Sequence, residues 1–486
     1  MNYKKRLLSV VLSAALTAAC APLVLAAEKS FTDVPADSAC SEAVSYMTEN
    51  SLISGTDETT FGADTPVSRA EAIMVLYRMA GSADTEFKGV FSDVAEDAAY
   101  AKAVEWASAN GIVSGYGDTT FAPDEEITKQ DLISFLYRYA VYDDAYVTVD
   151  ESADLKAFSD ADKAADYASD ALIWAADSGI VASEDGKLNP DKTVTRSELA
   201  VIDYNYIKSL PTVQSVSVAS TTRKDAQIPA YVTLPSDYSA EKTYPMVILC
   251  HGHGGNHNEW GGFDVITNGL ADKGIISVTL DYPGCDASKE SFQLNTMTNM
   301  KADTLDVINY MLSTYKVDKT KVGIFGYSMG GRITLELLSN KAFDFAAVEL
   351  VAPAEDVTDL KNLFGGPEAW EKMKAEANEK GYTVYTTIYG QVQELSKEWF
   401  ADLEAVPDGL AEAAATNYKG NSLVIYAVND EAVSPEVSKA TAEILGSEVA
   451  VTPADGHSYS FYGTNPETIS ITNDGSVNFF ANELLK

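Results

Sequence analysis

Cysteine is scarce in this sequence, with four residues in a chain of 486. One of them, Cys20, falls in a predicted leader segment, which leaves Cys40, Cys250 and Cys285 in the exported chain. An odd number of cysteines spread along several hundred residues does not form a disulfide framework. Stability must therefore come from hydrophobic cores, for which a hydrophobic content of 46% is sufficient.

Positive charge is also scarce. Lys and Arg total 35 against 72 Asp and Glu, so the formal charge at pH 7 is −37. A surface of this kind repels nucleic acid and anionic membranes, and nucleic-acid binding is excluded as a function. The length predicts two or three domains.

Long hydrophobic runs are missing beyond the first residues of the chain. A basic segment at residues 4–6 precedes an apolar stretch at 7–19, and small residues at 24–26 offer a cleavage site. This pattern predicts a secretory signal peptide over residues 1–26 and no membrane span after its removal. A lipoprotein acylated at Cys20 is the alternative.

A short motif of Phe, Ser or Thr, and Asp occurs three times. The motif begins at Phe31, Phe91 and Phe158. A basic residue follows each Phe after 38 positions, as Arg69, Lys129 and Arg196. Three copies with the same offset predict internal repeats over residues 31–81, 91–140 and 158–210.

The sequence pattern of each repeat predicts a helix, a loop and a second helix. The second helix opens with a hydroxyl residue and, three positions later, an acid, as in Ser68 and Glu71, which is a capping-box pattern. Capping does not explain the base that directly follows the hydroxyl residue in every copy, because a cation is disfavoured at a helix N-terminus. The bases therefore indicate a functional role, with solvated first-turn residues as the alternative.

Residues 31–210 resemble three S-layer homology repeats, through the Phe-x-Asp opening and the Thr-Arg-Ala-Glu-like motif. The resemblance implies all-α repeats that anchor an exported bacterial protein to secondary cell-wall polysaccharide. It implies that Arg69 and Arg196 pair with an anionic glycan, and that Lys129, which lacks the fork of Arg, binds more weakly. Trp106 and Trp174 are candidates for stacking on sugar, with core packing as the alternative.

From residue 211 to 486 the pattern changes to apolar runs that alternate with helical stretches. These runs lie at 246–250, 275–280, 322–325, 346–351, 423–428 and 449–452. The alternation predicts a mostly parallel sheet covered by helices on both faces. The fold class is therefore multidomain, with helical repeats followed by an α/β domain.

A G-x-S-x-G motif follows one of these runs and precedes a helical stretch. It places Ser328 at a sharp strand-to-helix turn, the nucleophile elbow of α/β-hydrolases. A serine hydroxyl becomes a good nucleophile only when an adjacent base accepts its proton. Ser328 is therefore the predicted nucleophile.

The chain has four histidines, and His457 alone lies downstream of Ser328. Since this fold orders its catalytic residues as Ser, acid and His, His457 is the predicted base. Asp430 follows the apolar run 423–428 and is the predicted acid. Glu431 and Asp455 are the alternatives.

The other histidines lie in the glycine-rich segment that follows the run 246–250. In this fold such a segment supplies one oxyanion N–H, and the residue after the nucleophile supplies the other. The backbones of His253 and Met329 are the predicted donors. A zinc site formed by the spaced histidines is the alternative. The sequence prediction is that the protein uses neither a metal nor a cofactor.

Residues 245–460 resemble feruloyl and cinnamoyl esterases and dienelactone-hydrolase-like enzymes. The matching segments include residues 251–260, 281–284 and 326–331, together with Asp303 and Asp306. An insertion at residues 354–420 is predicted to be helical and to form a lid. It is rich in aromatic residues, namely Phe364, Trp370, Tyr382, Tyr385, Tyr389, Trp399 and Phe400.

The predicted function is a secreted, cell-wall-anchored serine hydrolase that cleaves carboxylic esters through an acyl-enzyme. Its expected partners are secondary cell-wall polysaccharide and an ester substrate, for which polysaccharide-linked esters are one option. A peptidase of the prolyl-oligopeptidase type and a non-catalytic structural protein of the wall are the alternatives.

Overall fold

The computed structural model describes residues 31–117, 119–143, 147, 155–387, 390–406, 409–453, 456–461 and 465–486. The chain divides into two compact units, one ending at Leu210 and the other beginning at Pro211. The predicted signal peptide, with Cys20, lies outside the described residues.

The N-terminal unit contains two α-helices in each repeat. They are α1 (Ser41–Glu49), α2 (Arg69–Met79), α3 (Ala101–Ala109), α4 (Lys129–Tyr142), α5 (Ser169–Asp177) and α6 (Arg196–Ser209). Short 3-10 helices at Leu155–Ala157, Ala161–Lys163 and Asp166–Ala168 precede α5.

Reciprocal capping starts the second helix in two of the repeats. The Ser68 hydroxyl accepts the N–H of Glu71, whose carboxylate accepts the N–H of Ser68. Thr195 and Glu198 are paired in the same way before α6. The capping boxes predicted at these two positions are confirmed.

A closed ring of backbone hydrogen bonds joins the three repeats. The N–H of Val67 donates to Val194, that of Val194 to Ile127, and that of Ile127 to Val67, at 2.9–3.0 Å. The ring relates the repeats by an approximate threefold axis. Isolated β-bridges accompany it, so the all-α prediction for the repeats is not confirmed.

The acid of each Phe-x-Asp motif organises the loop between the two helices of its repeat. Asp33 accepts the backbone N–H groups of residues 61–63 at 2.7–2.9 Å. Asp93 and Asp160 bind the equivalent loops of the second and third repeats. The fixed spacing of the motif therefore reflects a fixed carboxylate–loop contact.

The C-terminal unit is built on an eight-stranded sheet. In chain order the strands of the unit are β1 (Thr212–Ala219), β2 (Gln227–Leu234), β3 (Tyr244–Cys250), β4 (Ile276–Leu280), β5 (Val317–Tyr327), β6 (Ala347–Val351), β7 (Tyr382–Thr386), β8 (Val392–Ser396), β9 (Asn421–Ala427) and β10 (Glu448–Thr452). The sheet order is β1-β2-β4-β3-β5-β6-β9-β10. Strand β2 pairs antiparallel with both β1 and β4, and the other strand pairs of this sheet are parallel, so the predicted mostly parallel sheet is confirmed.

Helices pack on this sheet and form the insertion between β6 and β9. They are α7 (Gly262–Asp272), α8 (Met297–Thr314), α9 (Met329–Ser339), α10 (Val357–Leu363), α11 (Pro367–Lys380), α12 (Lys397–Ala405), α13 (Leu410–Asn417), α14 (Pro435–Leu445), α15 (Pro466–Ile469) and α16 (Gly475–Leu484). Short 3-10 helices at Glu259–Gly261, Phe292–Leu294 and Gly456–Ser458 and a π-helical turn at Ser470–Asp474 complete the unit. No helix among the described residues has both the length and the apolar character needed to cross a bilayer.

The insertion at residues 354–420 is not purely helical, because β7 and β8 form an antiparallel hairpin within it. Arg332 on α9 binds the first residues of the insertion and the segment around the end of α12. Its fully buried guanidinium donates to the carbonyls of Glu355 at 2.6 Å and of Leu403 and Val406 at 3.1 Å. The insertion is thus bound to the helix that directly follows Ser328.

Two acids of α8 hold the β1–β2 turn. Asp303 accepts a hydrogen bond from Arg223 at 2.9 Å, and Asp306 accepts one from the backbone N–H of Thr221 at 2.8 Å. These carboxylates therefore join the antiparallel edge of the sheet to a helix.

Candidate functional site

Ser328 stands at a strained turn between β5 and α9. Its φ is 53° and its ψ is −114°, a conformation that costs free energy for any residue other than glycine. Small neighbours make the turn possible: a Cβ on Gly330 would lie 2.0 Å from the carbonyl oxygen of Cys250. The close packing of α9 on the end of β3 therefore requires glycine and directs the serine away from the sheet.

His457 lies within hydrogen-bond distance of both Ser328 and Asp430. His457 Nε2 is 2.9 Å from Ser328 Oγ, and its Nδ1 is 2.8 Å from Asp430 Oδ2. A carboxylate beside Nδ1 favours the tautomer that carries its proton there, which leaves Nε2 to accept the serine proton. The structure brings together the three side chains that the sequence selected from distant segments.

The alternative acid Glu431 does not occupy this position. Glu431 accepts the backbone N–H of His457 at 3.2 Å, so it holds the loop and not the imidazole. Asp455 lies outside the described residues.

Asp430 is buried and heavily hydrogen-bonded. Burial raises the pKa of its carboxyl, but the hydrogen bonds from His457 and from the N–H groups of Val433 and Ala432 outweigh this effect, so the pKa lies below its ordinary value. The hydroxyl of Tyr459 donates to the same carboxylate at 2.9 Å. Asp430 is therefore a carboxylate at neutral pH.

Sequence reasoning missed Tyr459. Its ring is fully buried, and burial next to Asp430 raises the pKa of its hydroxyl far above the ordinary value, so it stays a donor. The same hydroxyl accepts the backbone N–H of Ala427 at 2.9 Å. An available signal was its position two residues after His457, which places it in the same loop.

The two predicted oxyanion donors lie on adjacent loops. Met329 is the first residue of α9, where a backbone N–H has no partner within the helix. His253 lies in the loop after β3, and β3 pairs with β5 in the register Cys250–Gly326. The parallel pairing brings the loop of His253 beside the elbow of Ser328.

The three upstream histidines turn to different partners, which does not fit one zinc site. His251 Nδ1 lies 2.7 Å from the Gly252 carbonyl oxygen, and burial lowers the pKa of His251 to about 4. His253 Nε2 lies 2.8 Å from Gln393 Oε1. His257 Nδ1 lies 3.2 Å from Asp281 Oδ1.

Among the described residues, His257, Asp281 and Asp286 have ligand atoms within 4.8 Å of one another, an arrangement that could hold a metal ion. The ring of His257 also stacks on Tyr231, with centroids 3.6 Å apart.

The aromatic residues of the insertion form a packed cluster. Trp370, Trp399 and Phe400 are almost fully buried, and their ring centroids lie 4.9–5.4 Å apart. Phe364 and Trp399 also pack on the imidazole of His253, and each ring centroid lies 5.6 Å from that of the imidazole. The cluster thus packs the insertion against the loop that follows β3. Tyr389 lies outside the described residues.

The three bases of the N-terminal unit lie between repeats. Arg69, Lys129 and Arg196 are only 3%, 6% and 8% exposed. Arg69 Nε donates to the carbonyl of Phe121 in the second repeat, and Arg196 Nε donates to that of Phe61 in the first, both at 3.0 Å. These cations therefore support contacts between repeats, in addition to any role in binding.

The prediction that Trp106 and Trp174 stack on sugar is wrong. Their rings are 2% and 5% exposed and pack in the core of the repeats. Among the described aromatic residues of this unit, Tyr116 and Tyr167 are exposed, at 50% and 58%. The guanidinium carbon of Arg69 lies 4.6 Å from the ring centroid of Tyr116, and a loop position between two glycines was the signal for this tyrosine.

Family models match both units. The S-layer homology domain matches residues 30–73, 90–133 and 157–200. The alpha/beta hydrolase fold matches residues 245–388.

Curated relatives match part of the chain. A surface layer protein of Brevibacillus choshinensis is 29% identical over 143 residues, which are 29% of this chain and 13% of the relative. An amylopullulanase of Thermoanaerobacterium thermosulfurigenes is 28% identical over 182 residues, which are 37% of this chain and 10% of the relative. The chain thus spans about a tenth of the length of these relatives.

Among solved structures, the chain is similar to Est1E from Butyrivibrio proteoclasticus with bound ferulic acid. The sequence identity is 17% and the TM-score is 0.46, over 56% of this chain and 100% of that chain.

Proposed function

Because the chain carries three S-layer homology domains and an α/β-hydrolase domain, we propose that it is a wall-anchored serine hydrolase of carboxylic esters. The observation that carries the proposal is the contact series from Ser328 through His457 to Asp430, at 2.9 and 2.8 Å. A serine in a strained turn, with a histidine base and a carboxylate in hydrogen-bonded series, is the arrangement used for nucleophilic acyl transfer.

The reaction proceeds in two halves. Ser328 Oγ attacks the ester carbonyl carbon while His457 Nε2 accepts its proton, and the Asp430 carboxylate stabilises the imidazolium. The carbonyl oxygen becomes an oxyanion, which the N–H groups of His253 and Met329 bind. The imidazolium then protonates the leaving alcohol, an acyl ester remains on Ser328, and water releases the acid by the same steps.

The insertion supports an ester with a bulky apolar or aryl part. Its aromatic cluster lies against His253, next to the proposed oxyanion site. Apolar walls with few polar groups are typical of sites that bind small organic ligands. The insertion acts as the lid over this site.

The N-terminal unit attaches the enzyme to the bacterial cell wall, outside the cell. S-layer homology domains are shared with a protein named as a surface layer protein. The bases Arg69, Lys129 and Arg196 are the proposed contacts to an anionic secondary cell-wall polysaccharide, and the exposed ring of Tyr116, which lies next to Arg69, is one that a sugar can reach.

A substrate panel on the whole protein tests the catalytic proposal. The panel contains p-nitrophenyl acetate, methyl ferulate and a dipeptidyl anilide, with Ser328→Ala as the matched variant. We expect turnover of the esters, labelling of the parent by a fluorophosphonate, and loss of both in Ser328→Ala by about 10⁴-fold or more. Turnover of the anilide alone would favour a peptidase, and activity retained in Ser328→Ala would rule out the nucleophile.

A further inference from the structure

Two glutamines of the insertion reach the loop that follows β3. Gln391 directly precedes β8 and Gln393 lies within it, so the two side chains lie on the same face of the strand. Gln393 is fully buried, and its Oε1 lies 2.8 Å from His253 Nε2. Gln393 Nε2 donates to Gln391 Oε1, and Gln391 Nε2 donates to the carbonyl of Gly254, both at 3.0 Å.

The contacts therefore run from His253 through both glutamines to Gly254, which is the next residue of the same loop. Each amide uses one end on the loop and the other end on its partner glutamine. Such a paired arrangement fixes the orientation of both amides, because neither can rotate without losing two hydrogen bonds.

Gly254 leaves the space that the two amides occupy. Its φ is +67°, and a Cβ at this position would lie 2.3 Å from Gln393 Nε2 and 2.7 Å from Gln391 Oε1. A side chain here would displace both glutamines. Gly254 thus leaves, in the loop, the space that the amides of Gln391 and Gln393 fill from the insertion.

The imidazole of His253 is held on its other sides by aromatic rings. Phe292, Phe364 and Trp399 lie 5.5–5.6 Å from it. Burial lowers the pKa of His253 to about 4, so the ring is neutral at working pH and its contact with Gln393 does not titrate there. The side chain of His253 is thus fixed by the insertion, while its backbone belongs to the loop beside Ser328.

We propose that Gln393 and Gln391 are positioning residues that clamp His253 and Gly254, and that they thereby direct the backbone N–H of His253 at the oxyanion. The inference rests on the proposed function, because it assigns this N–H to the oxyanion site. An oxyanion donor stabilises the transition state only when it is directed in advance at the position where charge develops. The insertion would then contribute to turnover, as well as to covering the site.

The test compares three leucine variants of the full chain. Gln393→Leu removes the contact with His253, and Gln391→Leu, at an exposed position, removes the contact with Gly254. Gln293→Leu is the matched control, because Gln293 Nε2 donates to Glu394 Oε2 at 2.9 Å and so joins the same strand β8 to the body through a different hydrogen bond. Each variant is assayed for kcat and KM with p-nitrophenyl acetate and for the Kd of a boronic acid that mimics the tetrahedral intermediate.

We expect Gln393→Leu to lower kcat on the order of tenfold to a hundredfold with KM changed by about twofold or less. The Kd of the boronic acid should rise in proportion to the loss of kcat/KM. Gln391→Leu should show a smaller change of the same kind, and Gln293→Leu should match the parent.

Three results would overturn the clamp: an unchanged kcat in both Gln393→Leu and Gln391→Leu, a rise in KM alone, or an equal loss in Gln293→Leu. The last two would assign the glutamines to substrate contact or to general docking of the hairpin. A parent protein that neither hydrolyses the ester nor reacts with a fluorophosphonate would overturn the proposed function itself. Parent activity in the same experiment therefore separates the two failures.

Discussion

Asp430 and His457 are the two ionisable groups of the catalytic site that lie in direct contact, at 2.8 Å. The carboxylate remains charged near neutral pH because its pKa is lowered, so protonation of Asp430 does not account for a loss of activity on mild acidification, and the group that must be unprotonated to act as base is His457. Acidification should therefore lower kcat/KM for a neutral ester, with the pH dependence of a single protonated group. A profile that stays flat from about pH 5 to pH 9 would contradict a histidine base.

Replacing Asp430 with Asn tests the sign of this coupling. The amide keeps the shape but removes the charge that stabilises the imidazolium. Turnover should fall by about 10⁴-fold, and the acid limb of the residual activity should move to lower pH. The pH dependence of kcat/KM measures both effects, with Glu431→Gln as the control that leaves the imidazole contact in place. A limb that moves to higher pH would contradict the role of Asp430.

Asp203 on α6 is the clearest departure from the repeat pattern in the N-terminal core. It lies seven residues after Arg196, where the other two repeats have the buried Leu76 and Leu136. Its carboxylate is fully buried, and neither oxygen has a hydrogen-bond partner among the described residues. Burial raises its pKa to about 8.

Asp203→Leu should therefore stabilise the N-terminal unit. A carboxyl whose pKa is raised by folding contributes most to stability below its unfolded pKa, near 3.9, and this contribution declines until the pH reaches the folded value, about 8. The gain from leucine should be larger at pH 8 than at pH 5, by on the order of 4 kcal/mol. Urea unfolding at the two pH values measures it, with Asp203→Asn as the uncharged polar control. Equal gains at both pH values would contradict ionisation as the cause.

At this scale the sequence was sufficient for Ser328, Asp430 and His457, because chain order and strand context restrict the choice to few residues. It was not sufficient for Trp106 and Trp174. An aromatic residue at helical spacing satisfies a core position and a binding position equally well, and only the packed structure shows which face is covered. Tyr459 was missed because its partner carboxylate lies on a different loop.

The insertion is the element that the sequence described least well. Its helices were expected, but the hairpin of β7 and β8 was not, since each strand has only five residues and lies between long helices. An isolated two-stranded hairpin is marginal in water and depends on tertiary contacts. Its contacts with the loop after β3 are made by residues more than a hundred positions away, which no local pattern records.

The contacts of Arg332 lead to a prediction for the insertion. Arg332→Leu would leave the carbonyls of Glu355 and Leu403 in the insertion without this donor, and Glu336 without one of its cations. We expect a loss of about 3–5 kcal/mol in the free energy of unfolding and faster proteolysis within residues 354–420. The control is Lys374→Leu, which removes a partly exposed ion pair with Glu404 and should cost about 1 kcal/mol or less. Equal losses in the two variants would contradict a special role for Arg332.

At the scale of the whole molecule, the repeat pattern and the strand–helix alternation were enough to separate the chain into units of different architecture. The mutual contacts of the repeats were not visible in the sequence. The ring formed by Val67, Ile127 and Val194 uses backbone groups only, so the side-chain pattern does not encode it. The side-chain pattern likewise does not indicate which backbone carbonyls accept hydrogen bonds from Arg69 and Arg196.

The division of labour between the two units gives the last prediction. Replacing Arg69 and Arg196 with Ala should release the protein from isolated cell-wall sacculi without changing ester turnover. The expected cause is the loss of cations that pair with an anionic glycan, and added salt should weaken binding of the parent.

These arginines also bond backbone carbonyls of neighbouring repeats, so the control must lose a similar bond. Arg78 and Arg138 provide it, since each donates to a carbonyl of its own repeat, at Leu52 and Ile112. The double variant Arg78→Ala/Arg138→Ala should still sediment with the wall, and thermal unfolding shows whether either double variant has lost its fold. A fragment of residues 211–486 should keep its turnover and lose wall binding entirely. If that fragment sediments with the wall, or if the control variant is released as completely as the test variant while both stay folded, then the bases between the repeats are not the anchor.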